Sequence, residues 1–503
     1  MRLKGTTKAS MLAMLTAAAV TVSGCGSGSG KAESEKKAEA EKIPTFKVMF
    51  DYNVDSKGMS LSDNEYIDYL QKKTGVRVEL DTPGTAGYLD KLNIMMASGQ
   101  YPDAFEVNDQ DKNKLLQFAS DGLLTDITPY LDKYPNLKNA MPKEAWLPVT
   151  QNGKIWAIPY NRHDAFNQVI YINKKWLDTL GLQVPHTIDE FYGVMKAFTE
   201  QDPDRNGKND TYGLIGLNDL SYGGRIFQAA FDAETYKYRN NELLPPEVTD
   251  EYKKYLTFMS KLVSEKILDP EWATTTGAIF RQKINTGKYG IFNGFWHFAS
   301  GKEFAPGIMD NYIAIDPPLH EDGTPSAFNY KTTNRHYIAI PNETKNVEAL
   351  LKFMDWALSP EGTRYSYLGI EGKDYTENNG NYVKTADPAN LHWAFSLIKH
   401  GQLTDDVKKY MQTQYSDNVI ANLTMANKIG KLDKVAAALP YNPELAAYGL
   451  PKIAQEYTAK TILGNQKVET SWDDFVKKYR SSGGDKAIKQ YTEWYQKEGS
   501  SLK

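Results

Sequence analysis

Five alternating stretches near the start of the chain leave little freedom in its architecture. From Phe46, "FKVMFDYN" reads as a strand, and "DNEYIDYLQKKTGVRVEL" as an amphipathic helix stopped at Gly75 and followed by a β-branched strand. "YLDKLNIMMASGQYPDAFEV" repeats the scheme as a helix, a turn and a short strand over residues 104–107. Strand–helix–strand–helix–strand order sets consecutive strands parallel with helices across the sheet, so the class is α/β. Further on, "NGKIWAIPYNRHDAFNQVIYINKKWLDTLGL" reads as a strand broken at Pro159, a second strand and a helix. "GKYGIFNGFW" and "RHYIAIP" are further strand candidates, while "NVEALLKFMDWAL" and "DKAIKQYTEWYQK" are amphipathic helices. Residues 187–263 read as a long helical middle interrupted by a polar loop over 202–213. A chain of 503 residues is too long for one core, and two lobes or more are expected.

Cys25 is the one cysteine, so the body can hold no internal disulfide. Arg2, Lys4 and Lys8 form a basic start, and residues 11–22 form an apolar run of signal-peptide length, too short for a permanent span of about 20 residues. The Val22-Ser23-Gly24-Cys25 end of that run resembles the bacterial lipobox, which implies lipid on Cys25. Residues 26–42 are Gly/Ser-rich and then Lys/Glu/Ala-rich with no aromatic residue, a flexible tether able to reach about 60 Å. Removing residues 1–24 takes away three bases and no acid, so the net charge moves from −4 to −7. An acidic body without an arginine-rich patch excludes nucleic acid as the expected partner.

In that order, "SGQYPDAFEV", "GKIWAIPYN", "WLDTLGLQVPHTIDEFYGVMKAFTEQDPDRNGKNDTYGL", "TGKYGIFNGFW" and "FMDWALSPEG" resemble the extracellular solute-binding proteins of bacterial carbohydrate ABC importers. The similarity is greatest to the large lipoprotein branch that includes alginate-oligosaccharide binders, and it runs from Cys25 to the C-terminus. It implies a two-lobed periplasmic-binding-protein-like fold (type II) with a hinge crossed more than once, near residues 161–164 and 329–334, with a return around 369–374. The division that follows is 1–24 signal peptide, 25–43 lipid-anchored tether, 44–162 plus 330–372 lobe 1, and 163–329 plus 373–503 lobe 2. The implied function is capture of an oligosaccharide between the lobes and its delivery to permease subunits. The resemblance further implies a monomer held by its lipid on the extracytoplasmic face of the cell membrane.

"DPDRNGKNDTYG" carries its own chemistry. Asp202, Asp204, Asn206 and Asp210 stand at positions 1, 3, 5 and 9 of an EF-hand-like loop, Gly207 at the sharp turn, and the Lys208 carbonyl at position 7. Such spacing gathers hard oxygens around calcium, here in a structural role. Gly213 stands where an EF-hand has its bidentate Glu. A metal-free acidic turn is the alternative, because turns select the same residue types.

Ligands of open α/β sheets lie beyond the carboxyl ends of the strands. That places Asp51 and Asn53 after the first strand, Asp109 after the third, and Tyr160, Arg162 and His163 at the first crossing. Asn293 and Trp296 fall at a strand end of the second lobe, and Asn334 and Arg335 at the second crossing. Trp296 is the leading candidate to stack on a sugar, since "FNGFW" is similar to the segment that supplies such a tryptophan in maltose-binding members of the family. Trp146, Trp176, Trp356 and Trp494 read as core. Basic groups at the hinge suit an acidic sugar, and neutral oligosaccharides suit the aromatic residues equally.

The chain has no GxSxG elbow, P-loop, HExxH or cysteine nucleophile, and its seven histidines lack zinc spacing, so an enzyme is not expected. A secreted polysaccharide-degrading lipoprotein stays open because carboxylate pairs are spatial, and a peptide-binding receptor would share tether and scaffold.

Overall fold

A computed structural model describes residues 43–160, 166–332, 336–385, 391–399 and 402–502. Cys25 and the tether lie outside the described residues.

The strands of the two main sheets, and the short pairs that follow them, run β1 to β13 in chain order. β1 (Thr45–Met49), β2 (Arg77–Asp81) and β3 (Ala104–Asn108) run parallel, as the alternation of strand and helix requires. The intervening helix Glu65–Thr74 starts where the Asn64 side chain accepts from the Tyr66 and Ile67 N–H groups. It stops at Gly75, whose φ of +75° suits a residue without Cβ. β4 (Ile158–Tyr160) is an edge strand, which is why Pro159 is tolerated inside it rather than breaking it. β5 (Gln168–Asn173), β6 (Tyr212–Leu214), β7 (Tyr289–Phe295) and β8 (Tyr312–Ile315) form a second sheet in the order β8-β5-β7-β6. β9 (Phe328–Tyr330) leads toward β10 (His336–Ala339), which returns to the first sheet and lies antiparallel between β3 and β4. The first sheet is therefore ordered β2-β1-β3-β10-β4. β11 (Tyr375–Asn378) and β12 (Asn381–Lys384) make a hairpin, and β13 (Gly430–Leu432) pairs with β9.

Period-two alternation divides the first sheet between two cores. Phe46, Val48, Ile158 and Ile338 face one apolar cluster, and Met49, Phe105, Val107, Tyr337 and Ala339 face the other. The second sheet lies in a separate, larger cluster. These are the two lobes.

The helical middle differs from expectation. The helix Ile188–Glu200 ends before the polar loop, β6 follows, and a hairpin over Lys237–Arg239 and Glu242–Leu244 precedes the helix Asp250–Ser264. Gly213 explains why a strand forms beside that first helix. A Cβ there would meet the Met195 carbonyl oxygen at 2.2 Å, so only glycine lets β6 lie against the helix backbone.

The lobe boundary also differs. Leu391, Ala394, Phe395, Leu397 and Ile398 pack in the first sheet's core, where Phe395 stacks on Tyr66 at 5.8 Å. The chain thus visits the first lobe once more after the β11–β12 hairpin before joining the second, rather than leaving it for good around residue 373.

Candidate functional site

A cavity of about 470 Å³ opens between the two lobes. Tyr52, three residues past β1, and Tyr160, the last residue of β4, come to it from the first sheet. Trp296, directly after β7, comes from the second. Carboxyl ends of strands from both sheets therefore meet at one place, as open α/β sheets dictate. The remaining wall comes from residues 366–367, 384–385, 392–399 and 411–415.

Tyr52 is held by its hydroxyl, which donates to the Ala394 carbonyl at 2.7 Å, and its ring lies 5.8 Å from that of Trp393. Trp393 is 41% exposed, an open indole face at the cavity wall. Trp296 is different: only 2% exposed, it meets Tyr415 edge-on at 5.0 Å. Its N–H donates to the Asn167 carbonyl at 2.9 Å, and its carbonyl accepts from the Tyr171 hydroxyl at 2.8 Å.

Among the described residues, three basic side chains line the cavity. Burial lowers the Lys384 ammonium to about 8, with Asp374 opposing and Lys302 adding to the shift. Burial, then the nearby Lys384 and Lys399, hold the His392 imidazole well below its usual value. Lys399 is buried, its ammonium 5.2 Å from the Tyr367 ring centre.

Of the residues singled out from the sequence, Trp296 and Tyr160 stand at the cavity, while Asp51, Asn53, Asp109 and Asn293 do not line it. Asn293 is fully buried inside the second lobe. Its oxygen accepts from the Gly223 N–H at 2.6 Å, and its amide donates to Gln168 and to the Ser221 carbonyl, each at 2.9 Å. Asp51 accepts from the Asn108 side chain, tying the ends of β1 and β3 together. Asp109 accepts from the Tyr337 hydroxyl at 3.3 Å, and Asn53 is exposed beside Gly84. Arg162, His163, Asn334 and Arg335 lie outside the described residues. The strand-end rule does not reach Trp393, Lys384, His392 and Lys399, because none sits at the end of a strand of either main sheet. The bare presence of a tryptophan in "NLHWAF" was the one available signal.

In the acidic loop, the Asn206 N–H donates to Asp202 at 3.1 Å and to Asp204 at 3.3 Å, and the Gly207 N–H donates to Asp202 at 3.0 Å. The Asn206 amide nitrogen bridges Asp204 and Asp210 at 2.8 and 3.0 Å. Its oxygen accepts from the Lys208 N–H at 2.8 Å. Burial, then the adjacent Asp202, hold the Asp204 carboxyl above the usual range, and the Lys288 ammonium at 2.8 Å holds Asp210 below it. Among the described residues, no three His, Cys, Asp or Glu side chains converge on a metal-sized centre. The donors are nevertheless hard oxygens, and an amide group stands between two carboxylates where a cation would serve the same purpose. Turning Asn206 by half a rotation would present oxygen there instead of nitrogen. The close Met195 backbone leaves no room for a side chain at Gly213, so the usual twelfth-position carboxylate is sterically excluded.

A family model described as "Bacterial extracellular solute-binding protein" matches residues 57–364. The chain is 27% identical over 448 residues to Lipoprotein LipO of Bacillus subtilis, covering 85% of this chain and 88% of the relative. It is 27% identical over 439 residues to the polygalacturonan/rhamnogalacturonan-binding protein YtcQ of the same organism, covering 85% and 87%. Among solved structures, the FusA EF-hand mutant of Streptococcus pneumoniae in complex with fructo-nystose gives a TM-score of 0.65 at 19% identity, covering 91% of this chain and all of that one. Alginate-binding protein AlgQ2 without calcium ion gives 0.63 at 19% identity, covering 91% and 98%. These likenesses establish a shared fold.

Proposed function

We propose that this chain, which belongs to the bacterial extracellular solute-binding protein family, captures an oligosaccharide between its lobes and hands it unaltered to a membrane permease. The observation that carries this reading is the cavity wall, where Tyr52, Trp393, Trp296 and Tyr415 bring rings from both lobes beside lysine, serine and glutamine side chains. A pyranose offers an apolar C–H face to such rings and hydroxyls to such polar groups. Ligand contacts made to both lobes at once favour the closed state over the open one, and that differential is what a permease reads. YtcQ, a polygalacturonan/rhamnogalacturonan-binding protein, and FusA, solved in complex with fructo-nystose, support the class.

Calorimetric titration with pectic and fructan fragments tests this. Saturable heat with one class is expected, and Trp393→Ala should weaken binding by about 1–2 kcal/mol, five- to thirtyfold, with the melting temperature unchanged. No heat from any glycan, or recovery of cleaved ligand, would overturn the reading.

Calcium in the loop over residues 202–213 is part of the proposal. Asp202, Asp204, Asn206 and Asp210 would hold it, with the Lys208 carbonyl, and it would tie the end of one helix to β6. AlgQ2, solved without calcium ion, and FusA, solved as an EF-hand mutant, favour the same assignment. A saturating hundredfold excess over Kd would add about 2.7 kcal/mol to stability. Chelation should therefore lower the melting temperature of the parent and leave that of Asp204→Asn almost unmoved; equal melts with and without chelator would argue for a plain turn. Lipid on Cys25 would keep this machinery at the outer face of the membrane, as the name of LipO also suggests.

A further inference from the structure

We propose that the cavity takes an anionic saccharide, its acidic group met by the Lys384 ammonium at the end of β12 and by Lys399 beside Tyr367. This deepens the oligosaccharide reading and rests on it. The chain as a whole carries 63 acidic and 59 basic side chains, yet the described cavity wall contains Lys384, Lys399 and His392 and no carboxylate. The imbalance is therefore local. Lys384 is half-buried, and its ammonium makes no ion pair or hydrogen bond to any described residue. A third ammonium stands close by: Lys302 donates to the Gln414 carbonyl at 3.0 Å and lies 5.2 Å from the ring centre of Tyr415, another wall residue.

Among the described residues, other charges around this group do not cancel it. Among the described residues Asp374 is the acid that acts on Lys384, and it is fully buried and already accepts from the Tyr66 hydroxyl at 2.9 Å and the Ile370 N–H at 2.7 Å. Lys373 adds a further positive field at His392 and pairs with Glu65. A neutral sugar closing over this wall would strip water from an ammonium and give it no counter-charge, which is costly. A carboxylate or sulfate would instead make charge-assisted hydrogen bonds there, while His392, kept neutral by burial and the nearby lysines and bonded to the Tyr367 backbone, adds no competing charge. Specificity then comes from an unpaired cation that rejects neutral ligands as much as from attraction to acidic ones.

Calorimetry with three ligands of matched length tests the idea: a uronic-acid tetrasaccharide, its carboxyl-reduced neutral counterpart, and a sulfated neutral oligosaccharide. One of the two anions should bind about tenfold or more tighter than the neutral ligand, and which one identifies the acidic group. Lys384→Met should abolish most of that advantage, and Lys384→Arg should keep it. Binding of the anion raises the Lys384 pKa from about 8, so the complex holds more protons than the free protein. Affinity should fall as pH rises above about 8, and titrations near pH 8.5 in two buffers of different ionisation enthalpy should show proton uptake that Lys384→Met lacks. A neutral counterpart that binds as tightly as both anions, or a Lys384→Met protein with undiminished preference, would overturn the inference and leave the oligosaccharide reading standing. Silence from all three ligands would overturn both.

Discussion

Glu234→Ala is expected to cost about 3–5 kcal/mol of folding stability. Glu234 and Arg225 form an ion pair whose side chains are only 10% and 16% exposed. The Arg225 Nε donates to one carboxylate oxygen at 2.9 Å, and the other oxygen accepts from the Asn329 N–H at 2.8 Å. Arg225 in turn donates to the Asn329 carbonyl at 2.8 Å and lies 4.2 Å from the Tyr330 ring centre. Both polar groups of one β9 peptide residue are therefore held by the pair, just before the chain crosses back to the first sheet. Removing the acid leaves a guanidinium buried without its partner and an N–H without its acceptor. Replacing both residues by apolar ones of similar volume should cost far less, because neither charge is then stranded. Urea unfolding of the two single variants and the double variant measures this, and a loss under about 1 kcal/mol for Glu234→Ala would contradict it.

Trp296→Ala should cost a comparable amount, about 3–5 kcal/mol of stability, with a loss of ligand affinity beside it. The 2% exposure and the edge contact with Tyr415 make Trp296 both wall and core, so truncation leaves a void as well as a missing ring. This revises the expectation that Trp296 serves chiefly as a sugar platform. Its removal should lower the melting temperature and the affinity together, whereas the exposed Trp393 should affect affinity alone. An unchanged melt for Trp296→Ala would show that the pocket collapses around the gap.

The framework was legible because it rests on local chemistry. Asn64 and Gly75 bracket the first helix, apolar alternation marks β1, β2 and β3, and "RHYIAIP" marks β10. Strand ends then pointed to Tyr160 and Trp296. The same rule misplaced Asn293, because position at a strand end does not reveal which face a side chain takes. Asn293 points into its own lobe, to be saturated by Gly223, Gln168 and Ser221. Much of the cavity wall escaped notice because it comes from residues 384–415, where the chain alternates between the cores of the two lobes. No helical or strand period marks such a path. Likewise β6 was hidden inside an apparently helical stretch, since its pairing with β7 and its fit against Met195 are contacts distant in sequence.

The insertion of β10 between β3 and β4 has a consequence for how the molecule is born. An emerging polypeptide has both neighbours long before the ladder that joins them, since more than 170 residues separate Tyr160 from His336. Until that late piece arrives, β4 has no ladder partner and β3 keeps an open edge. Early compaction of the leading third is thereby discouraged, and a long loop must be closed before the first lobe is complete. If the chain is exported before it folds, as the reading proposed above would require, that delay keeps it in a state that can be threaded outward.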